Sequence, residues 1–242
     1  MIELRNLTKS YRTPQGRKVL FKNVNAVFPE GKNIGILGRN GAGKSTLLRI
    51  MGGIDYPDSG RVITDERISW PMGLSSGFQG SMTGRENAAF ICGIHGIWGE
   101  SRRRVLDRVQ DFAEIGDYFD APVKTYSSGM RSRLAFGLSI AVDFDCYLVD
   151  EVMSVGDAHF KRKSEQVIAE KRKNAKFIIV SHAMGQLKKN CDVGIYLGPE
   201  GLQIYDTVDE AIARYQQGLP KPQQKKSQQQ KQQHKSAEAQ SV

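Results

Sequence analysis

A glycine-rich turn, set between an apolar strand pattern and a helix pattern, constrains this chain more than any other feature. Residues 38–45 read GRNGAGKS and fit the pattern G-x-x-x-x-G-K-[ST] at every fixed position. Glycines allow successive backbone N–H groups to turn inward as a nest for phosphate oxygens, and the helix that follows adds its positive N-terminal end. A turn that binds nothing is the alternative, but the strand at 33–37 and the helix at 46–51 supply the context of a phosphate loop.

Two side chains of this turn have the chemistry that phosphate recognition needs. Lys44 supplies a cation for the outer phosphates, and the hydroxyl of Ser45 is the kind of oxygen ligand that Mg²⁺ prefers. The candidate nucleotide-binding residues of the turn and the helix start are Gly38, Arg39, Asn40, Gly41, Ala42, Gly43, Lys44, Ser45 and Thr46.

Polar side chains also follow two later strand patterns. The apolar run 146–149 ends in Asp150 and Glu151, and the run 177–180 is followed by Ser181 and His182. Ligands of open α/β sheets lie at the carboxyl ends of strands. We therefore expect Asp150 to hold Mg²⁺, directly or through water, and Glu151 to accept a proton from an attacking water. Two acids after a strand could also cap a helix, and a lone histidine could be a packing or surface residue, but His182 stands where it could reach a γ-phosphate.

The order of patterns predicts an α/β fold with a mostly parallel sheet. The first thirty residues predict strands, with a turn at 13–16 and separate strands at 19–21 and 24–28. Apolar residues recur at helical spacing over 101–115. The chain is predicted to be mostly helical from about 82 to 141, which indicates a helical lobe inserted between two α/β parts. Alternating strands and helices return in the last third.

Composition separates the C-terminal stretch from the rest. Of the net charge of +9, residues 219–242 carry five lysines and one glutamate, a net +4, which leaves +5 for the body. This stretch of Gln, Lys, Ser and Pro has almost nothing to bury, so 218–242 is predicted to be a disordered tail. It could be a solubilising extension or a contact for anionic lipid or nucleic acid. No apolar run approaches the ~20 residues that cross a bilayer, and the three cysteines, at no metal-ligand spacing, indicate reduced thiols in a cytosolic protein.

These motifs, in this order, resemble the nucleotide-binding subunits of ABC transporters. A short signature before a helix distinguishes that family, and residues 126–130, YSSGM, are similar to its common form, LSGGQ. The sequence departs at Tyr126, Ser128 and Met130 and keeps Ser127 and Gly129. An ordinary serine-capped helix start is the alternative. The resemblance implies a phosphate-loop NTPase core with an antiparallel N-terminal β subdomain. It also implies that one copy's signature, Ser127, Ser128, Gly129 and Met130, contacts ATP held by a second copy.

Further roles follow from the resemblance, which covers about residues 1–217, the predicted ATPase domain. Tyr11 matches the aromatic that stacks on adenine, although it could be a core residue of its strand. Gln79 matches the glutamine that touches Mg²⁺ and senses the membrane partner, although it could be a plain loop amide. Residues 154–157, SVGD, match the segment that crosses the dimer interface.

One branch of the family fits better than the others. Residues 77–87, the variant signature, and residues 150–152 with 155–158 resemble the exporters of bacterial surface polysaccharides, and 69–74 resembles the capsule type. We therefore expect an ATP- and Mg²⁺-dependent ATPase of a capsular polysaccharide exporter, peripheral on the cytoplasmic face of the bacterial inner membrane. Its expected partners are a second copy and a polytopic permease that handles the polysaccharide, with no nucleic acid. The alternatives are an O-antigen or teichoic acid exporter, or a soluble nucleic-acid-associated ABC ATPase. Most of the latter carry two ATPase units or a long coiled coil.

Overall fold

Two β-sheets carry the fold, one antiparallel and one mostly parallel. The computed structural model describes residues 1–72, 77–150 and 157–218. The antiparallel sheet has the order β2-β1-β4, with β1 Ile2–Thr13, β2 Gly16–Phe28 and β4 Ser59–Thr64. The second sheet has the order β5-β6-β7-β3-β8-β9. Its strands are β3 Ile34–Gly38, β5 Ile68–Met72, β6 Cys146–Asp150, β7 Lys176–Val180, β8 Val193–Gly198 and β9 Gly201–Tyr205.

The register of the second sheet brings the predicted functional strand ends to one edge. Strand β3 pairs in parallel with β7 and β8, and β7 pairs in parallel with β6. Val180 lies opposite both Ile36 and Asp150. Strands β3 and β7 are buried along their whole length, as expected for the centre of a parallel sheet. The phosphate turn, Asp150 and the residues after Val180 therefore leave the sheet at the same edge.

One prediction for the N-terminal sheet is wrong. The expected strands at 19–21 and 24–28 are parts of the single strand β2. Asn23, which lies between them, has φ 50°, and Asn6 on the facing strand has φ 52°. The β1–β2 register shifts in this region, so the sequence that we interpreted as a break is an irregularity within a continuous ladder. Asparagine tolerates this left-handed conformation better than most residues.

The described residues also form two short 3-10 helices, Gly116–Asp120 and Val123–Thr125, and seven α-helices. The α-helices are α1 Lys44–Met51, α2 Gly84–Ile94, α3 Gly99–Ala113, α4 Ser128–Ala141, α5 Ala158–Lys171, α6 Met184–Asn190 and α7 Val208–Gln217. Helices α2 to α4 lie between β5 and β6, which are neighbours in the sheet. The predicted α/β fold, with an antiparallel N-terminal sheet and an inserted helical part, is confirmed. None of the helices seen in the described residues combines the length and hydropathy that crossing a bilayer requires.

The buried apolar residues of the helical part form one cluster with residues of the larger sheet, among them Met72 and Tyr147. Val105, Val109 and Phe112 of α3 are buried, as the helical spacing predicts. Phe112 stacks on Phe136 of α4 with ring centroids 5.6 Å apart. At the start of α2, the Thr83 hydroxyl accepts from the Glu86 backbone N–H and the Glu86 carboxylate accepts from the Thr83 N–H, which satisfies two N-terminal donors. The cysteines are free and buried, so they take part in packing.

Candidate nucleotide-binding site

The turn between β3 and α1 needs its glycines for two separate reasons. Gly41 and Gly43 have φ of 78° and 101°, a left-handed conformation that costs other residues energy. Space is limited as well, because a Cβ atom on Gly43 would lie 2.8 Å from Phe21 Cζ. One on Gly38 would lie 2.6 Å from the carbonyl oxygen of Leu197. The backbone is therefore free to curl closely, and α1 begins directly after it at Lys44.

Lys44 is held inside the curl of the turn. Its side chain is buried, and Nζ donates to the carbonyl oxygens of Gly38 at 2.8 Å and Arg39 at 3.3 Å. These bonds fix an ammonium group at the N-terminus of α1, where the helix dipole already favours an anion. The turn therefore presents a preorganised positive site.

An open cavity of about 450 Å³ joins this turn to the N-terminal sheet. The described residues that line it are Tyr11, Thr13, Lys18, Leu20, Asn40, Gly41, Gly43, Lys44, Ser45, Thr46 and His182. The structure thus brings together Tyr11, His182 and six predicted residues of the turn and helix start. The remaining predicted residues of the turn, Gly38, Arg39 and Ala42, belong to the same curl without lining the cavity.

A hydrogen bond to Asp55 fixes the Tyr11 side chain. Its hydroxyl donates to Asp55 Oδ2 at 2.6 Å, and Lys9 Nζ donates to Asp55 Oδ1 at 2.7 Å. Lys9 Nζ also lies 4.9 Å from the centre of the Tyr11 ring. Burial acts to raise the pKa of the Asp55 carboxyl, but hydrogen bonds from Lys9, Tyr11 and the Tyr56 N–H outweigh burial and lower that pKa. The ring is therefore held in one orientation beside the cavity.

The candidate metal ligands are spread over three elements. Ser45 lines the cavity, whereas Asp150 is partly buried at the end of β6. Gln79 lies before α2, where Asn87 clamps its backbone: the Gln79 N–H donates to Asn87 Oδ1 at 2.8 Å and Asn87 Nδ2 donates to the Gln79 carbonyl at 3.1 Å. Neither Asp150 nor Gln79 is among the described residues lining the cavity. Glu151, the predicted base, lies outside the described residues.

The predicted interface segment 154–157 is described only at Asp157. This carboxylate caps α5, accepting from the backbone N–H groups of His159 and Phe160, each at 2.9 Å. Arg133 of α4 also donates to it at 2.6 Å. The backbone bond from Phe160 and the charge of Arg133 lower the pKa of Asp157. Asp157 therefore joins the start of α5 to the helix that begins at the signature.

The signature residues begin α4 on the surface. Ser127 caps the helix, its hydroxyl accepting from the Met130 N–H at 3.2 Å, so the serine-capped helix start is real. Ser127, Ser128 and Gly129 are exposed, and Met130 is partly buried. Within the part of the chain that the structure describes, none of the four lines the cavity beside Lys44. An exposed helix N-terminus of this kind is open to an anion from outside the chain.

Tyr126, the first departure from the common signature, is buried against the start of α2. Its hydroxyl donates to the Tyr118 carbonyl. A Cβ atom on Gly84 would lie 2.4 Å from that hydroxyl oxygen, so Gly84 leaves the space that the larger tyrosine fills.

Backbone bonds tie the same two segments together. The Lys124 N–H donates to the Gly80 carbonyl and the Val123 N–H donates to the Met82 carbonyl, both at 2.9 Å. The segment that carries Gln79 is therefore bonded directly to the segment that leads into the signature.

Sequence reasoning missed three residues that line the cavity: Thr13, Lys18 and Leu20. A signal for Lys18 was available. The tight turn at 13–16 is a hairpin, and pairing Thr13 with Gly16 sets Tyr11 directly opposite Lys18. Since Tyr11 was already a candidate, its cross-strand partner was too.

The fold and the phosphate loop define a phosphate-loop nucleotide-binding protein, and comparisons with known proteins identify the family. Residues 21–154 match the family described as ABC transporter. The chain is 57% identical over 220 residues to the polysialic acid transport ATP-binding protein KpsT of Escherichia coli, covering 90% of this chain and 100% of that protein. It is 42% identical over 215 residues to the capsule polysaccharide export ATP-binding protein CtrD of Neisseria meningitidis serogroup B, covering 89% of this chain and 98% of that protein.

A solved structure shows the same fold. It is the dimeric, post-hydrolysis state of the ATP-binding cassette MJ0796 bound to ADP and Pi, with a TM-score of 0.67 and 23% identity over 84% of this chain and 98% of that chain. The chain therefore belongs to the ABC transporter family, in which it is an ATP-binding and ATP-hydrolysing subunit.

Proposed function

We propose that this protein powers the export of a capsular polysaccharide across the bacterial inner membrane. The observation that carries the proposal is the 57% identity along the full length of KpsT, whose name describes polysialic acid transport. The 42% identity to CtrD, described as a capsule polysaccharide export protein, points the same way. O-antigen or teichoic acid export would use the same ATP chemistry on another polymer, and a soluble nucleic-acid-associated role is the more distant alternative.

Each candidate residue has a defined task in ATP hydrolysis. The ring of Tyr11 stacks on adenine, and the N–H groups of the 38–45 turn wrap the phosphates. Lys44 stabilises the negative charge of the outer phosphates as it develops. His182, which lines the same cavity, contacts the γ-phosphate. Glu151 takes a proton from the attacking water, whose oxygen then bonds to the γ-phosphorus as the bond to ADP breaks.

The chemistry of the three candidate ligands fits Mg²⁺. Ser45, Asp150 and Gln79 offer a hydroxyl, a carboxylate and an amide oxygen, all hard ligands. No group of three or more His, Cys, Asp or Glu residues suited to a metal occurs among the described residues. Mg²⁺ is usually held by one or two side chains together with substrate phosphates and water. When bound, Mg²⁺ neutralises phosphate charge, and these side chains orient it.

We further propose that two copies share two ATP molecules. The signature of one chain is exposed and is not among the described residues of its own cavity, so it is available to close over ATP held by a second copy. A closed arrangement of two identical chains then makes two equivalent sites. A separate polytopic permease receives the movement through the 79–87 region and handles the polysaccharide. The chain is then peripheral, on the cytoplasmic face of the inner membrane, and bound there by that permease.

Complementation tests the proposal. A capsulated strain that lacks its own export ATPase receives the wild-type gene, a Lys44→Ala gene or a Lys22→Ala gene, the last altering an exposed lysine outside the cavity. We expect wild type and Lys22→Ala to restore surface polysaccharide, and Lys44→Ala to leave polymer inside the cell. If wild-type protein, expressed with its neighbouring permease, restored O-antigen display and left capsule inside, the polymer assigned here would be wrong.

A further inference from the structure

We propose that Lys18 is a second phosphate-binding cation of the nucleotide site, an inference that rests on the ATP site proposed above. Lys18 lies in β2 directly opposite Tyr11 of β1. Both side chains line the cavity that holds the phosphate turn. Lys18 therefore lies beside the residue assigned to adenine and lines the same cavity as Lys44.

The Lys18 ammonium group lies close to the backbone of the phosphate turn. A Cβ atom built on Gly41 would lie 3.3 Å from Lys18 Nζ. The charge of Lys18 therefore stands over the curl of the turn, at a residue whose φ of 78° belongs to the phosphate nest. A phosphate cradled by this backbone would lie within reach of the Lys18 ammonium.

The electrostatic surroundings of Lys18 favour an anionic ligand. Its chain neighbour Arg17 is paired with Asp58 at 3.0 Å, but no carboxylate of the described residues lies within ion-pair distance of Lys18. The described lining of the cavity includes two lysines and no aspartate or glutamate. The exposed Lys18 ammonium, with no lining acid among the described residues, is well placed to attract a phosphate.

Lys18 and Lys44 have different environments, so they should act at different stages. Lys44 is buried and held by backbone carbonyls inside the turn, whereas Lys18 is exposed at the rim. An exposed charge acts through a solvated and salt-sensitive attraction. Lys18 should therefore strengthen nucleotide binding and contribute little to the chemical step.

Competition binding on the full chain tests this role. ADP and adenosine, which carries no phosphate, compete with a fluorescent ADP analogue at low and high salt for wild type and for Lys18→Ala, Lys18→Arg and Lys22→Ala. Lys22 is an exposed lysine of the same strand that does not line the cavity, which makes it the matched control. We expect Lys18→Ala to weaken ADP binding about 3- to 10-fold at low salt. It should change adenosine binding less than about twofold, and high salt should shrink the ADP effect.

The variants keep the result interpretable. Lys18→Arg keeps the charge and should bind ADP nearly as wild type does, and Lys22→Ala should match wild type. Equal ADP affinity in Lys18→Ala and wild type, or equal loss of ADP and adenosine, overturns the assignment of Lys18 to phosphate. If the wild-type chain bound neither ADP nor ATP, the ATP site itself, and this inference with it, would be wrong.

Discussion

The Tyr11 hydroxyl donates a 2.6 Å hydrogen bond to the Asp55 carboxylate, and the same carboxylate accepts a 2.7 Å hydrogen bond from Lys9 Nζ. These two hydrogen bonds join β1 to the segment after α1. A ring fixed in this way loses little further freedom when a base stacks on it, which favours tight binding.

Substitution of Tyr11 separates the ring from its anchor. Tyr11→Ala removes the stacking surface and should weaken ATP binding by about 1–3 kcal/mol, roughly 5- to 150-fold. Tyr11→Phe keeps the ring and loses only the bond to Asp55, so its loss should be clearly smaller. Isothermal titration calorimetry with ATP and Mg²⁺ measures both. Wild-type affinity in Tyr11→Ala would remove Tyr11 from the adenine site.

The Asp55 cluster also predicts a pH dependence of stability. The pKa of Asp55 is lowered from its ordinary 3.8, so its ionised form stabilises the folded state above that pH, and this stabilisation is lost as pH falls through the lowered pKa. At pH 7, Asp55→Asn should lower the free energy of unfolding by about 1 kcal/mol, which corresponds to a melting temperature roughly 2–4 °C below that of wild type. The difference should shrink below about pH 4. A difference that stayed constant from pH 7 to pH 3 would contradict this account.

Lys44→Ala should remove the preorganised ammonium group without disturbing the core. We expect ATPase activity to fall about 10²- to 10³-fold, the usual effect of losing one such electrostatic contact. The circular dichroism melt should stay close to that of wild type. Lys22→Ala serves as the control and should keep full activity. Unchanged turnover in Lys44→Ala would exclude the turn as the catalytic phosphate site.

Glu151→Gln should stop hydrolysis and spare ATP binding, because an amide cannot accept the proton from water. Intact ATP would then hold two chains together, since it favours the closed state. We expect an ATP-dependent doubling of mass in size-exclusion chromatography with light scattering, and a mainly monomeric wild type. Hydrolysis at the wild-type rate would exclude Glu151 as the base. ATP binding without dimer formation would argue against the shared sites and would direct suspicion first to the variant signature.

Gly84→Ala should destabilise the chain by about 1–3 kcal/mol, because the new methyl group would lie 2.4 Å from the Tyr126 hydroxyl. Tyr126→Phe removes that oxygen, so adding it to Gly84→Ala should cost less than the sum of the single changes. Gly185→Ala, at an α6 position with open space around it, should be neutral or slightly stabilising. Chemical denaturation of wild type and the four variants measures these differences, and strict additivity would contradict the close contact.

The parts of the site that depend on local chain geometry could be predicted from the sequence. The turn with Lys44 and the strand that ends at Asp150 were found because spacing and strand-end position suffice to define them. Lys18 was missed because its role depends on a hairpin register, although the turn at 13–16 was recognised. The single strand through Asn23 was not predictable, because polar residues at a bulge look the same as those in a loop. No sequence pattern showed that Lys44 would rest on the Gly38 carbonyl.

The bonds between the 79–87 segment and the approach to the signature have a mechanical consequence. Gly84 packs on Tyr126, and the carbonyls of Gly80 and Met82 hold the chain three and four residues before Ser127. A displacement of the start of α2 would carry the segment that leads into the signature with it as long as these bonds and this packing hold. The start of α2 and the start of α4 are therefore mechanically coupled. In the proposed transporter, movement of a permease against the 79–87 segment would therefore also move the start of α4, and movement of the signature towards ATP would also move the 79–87 segment.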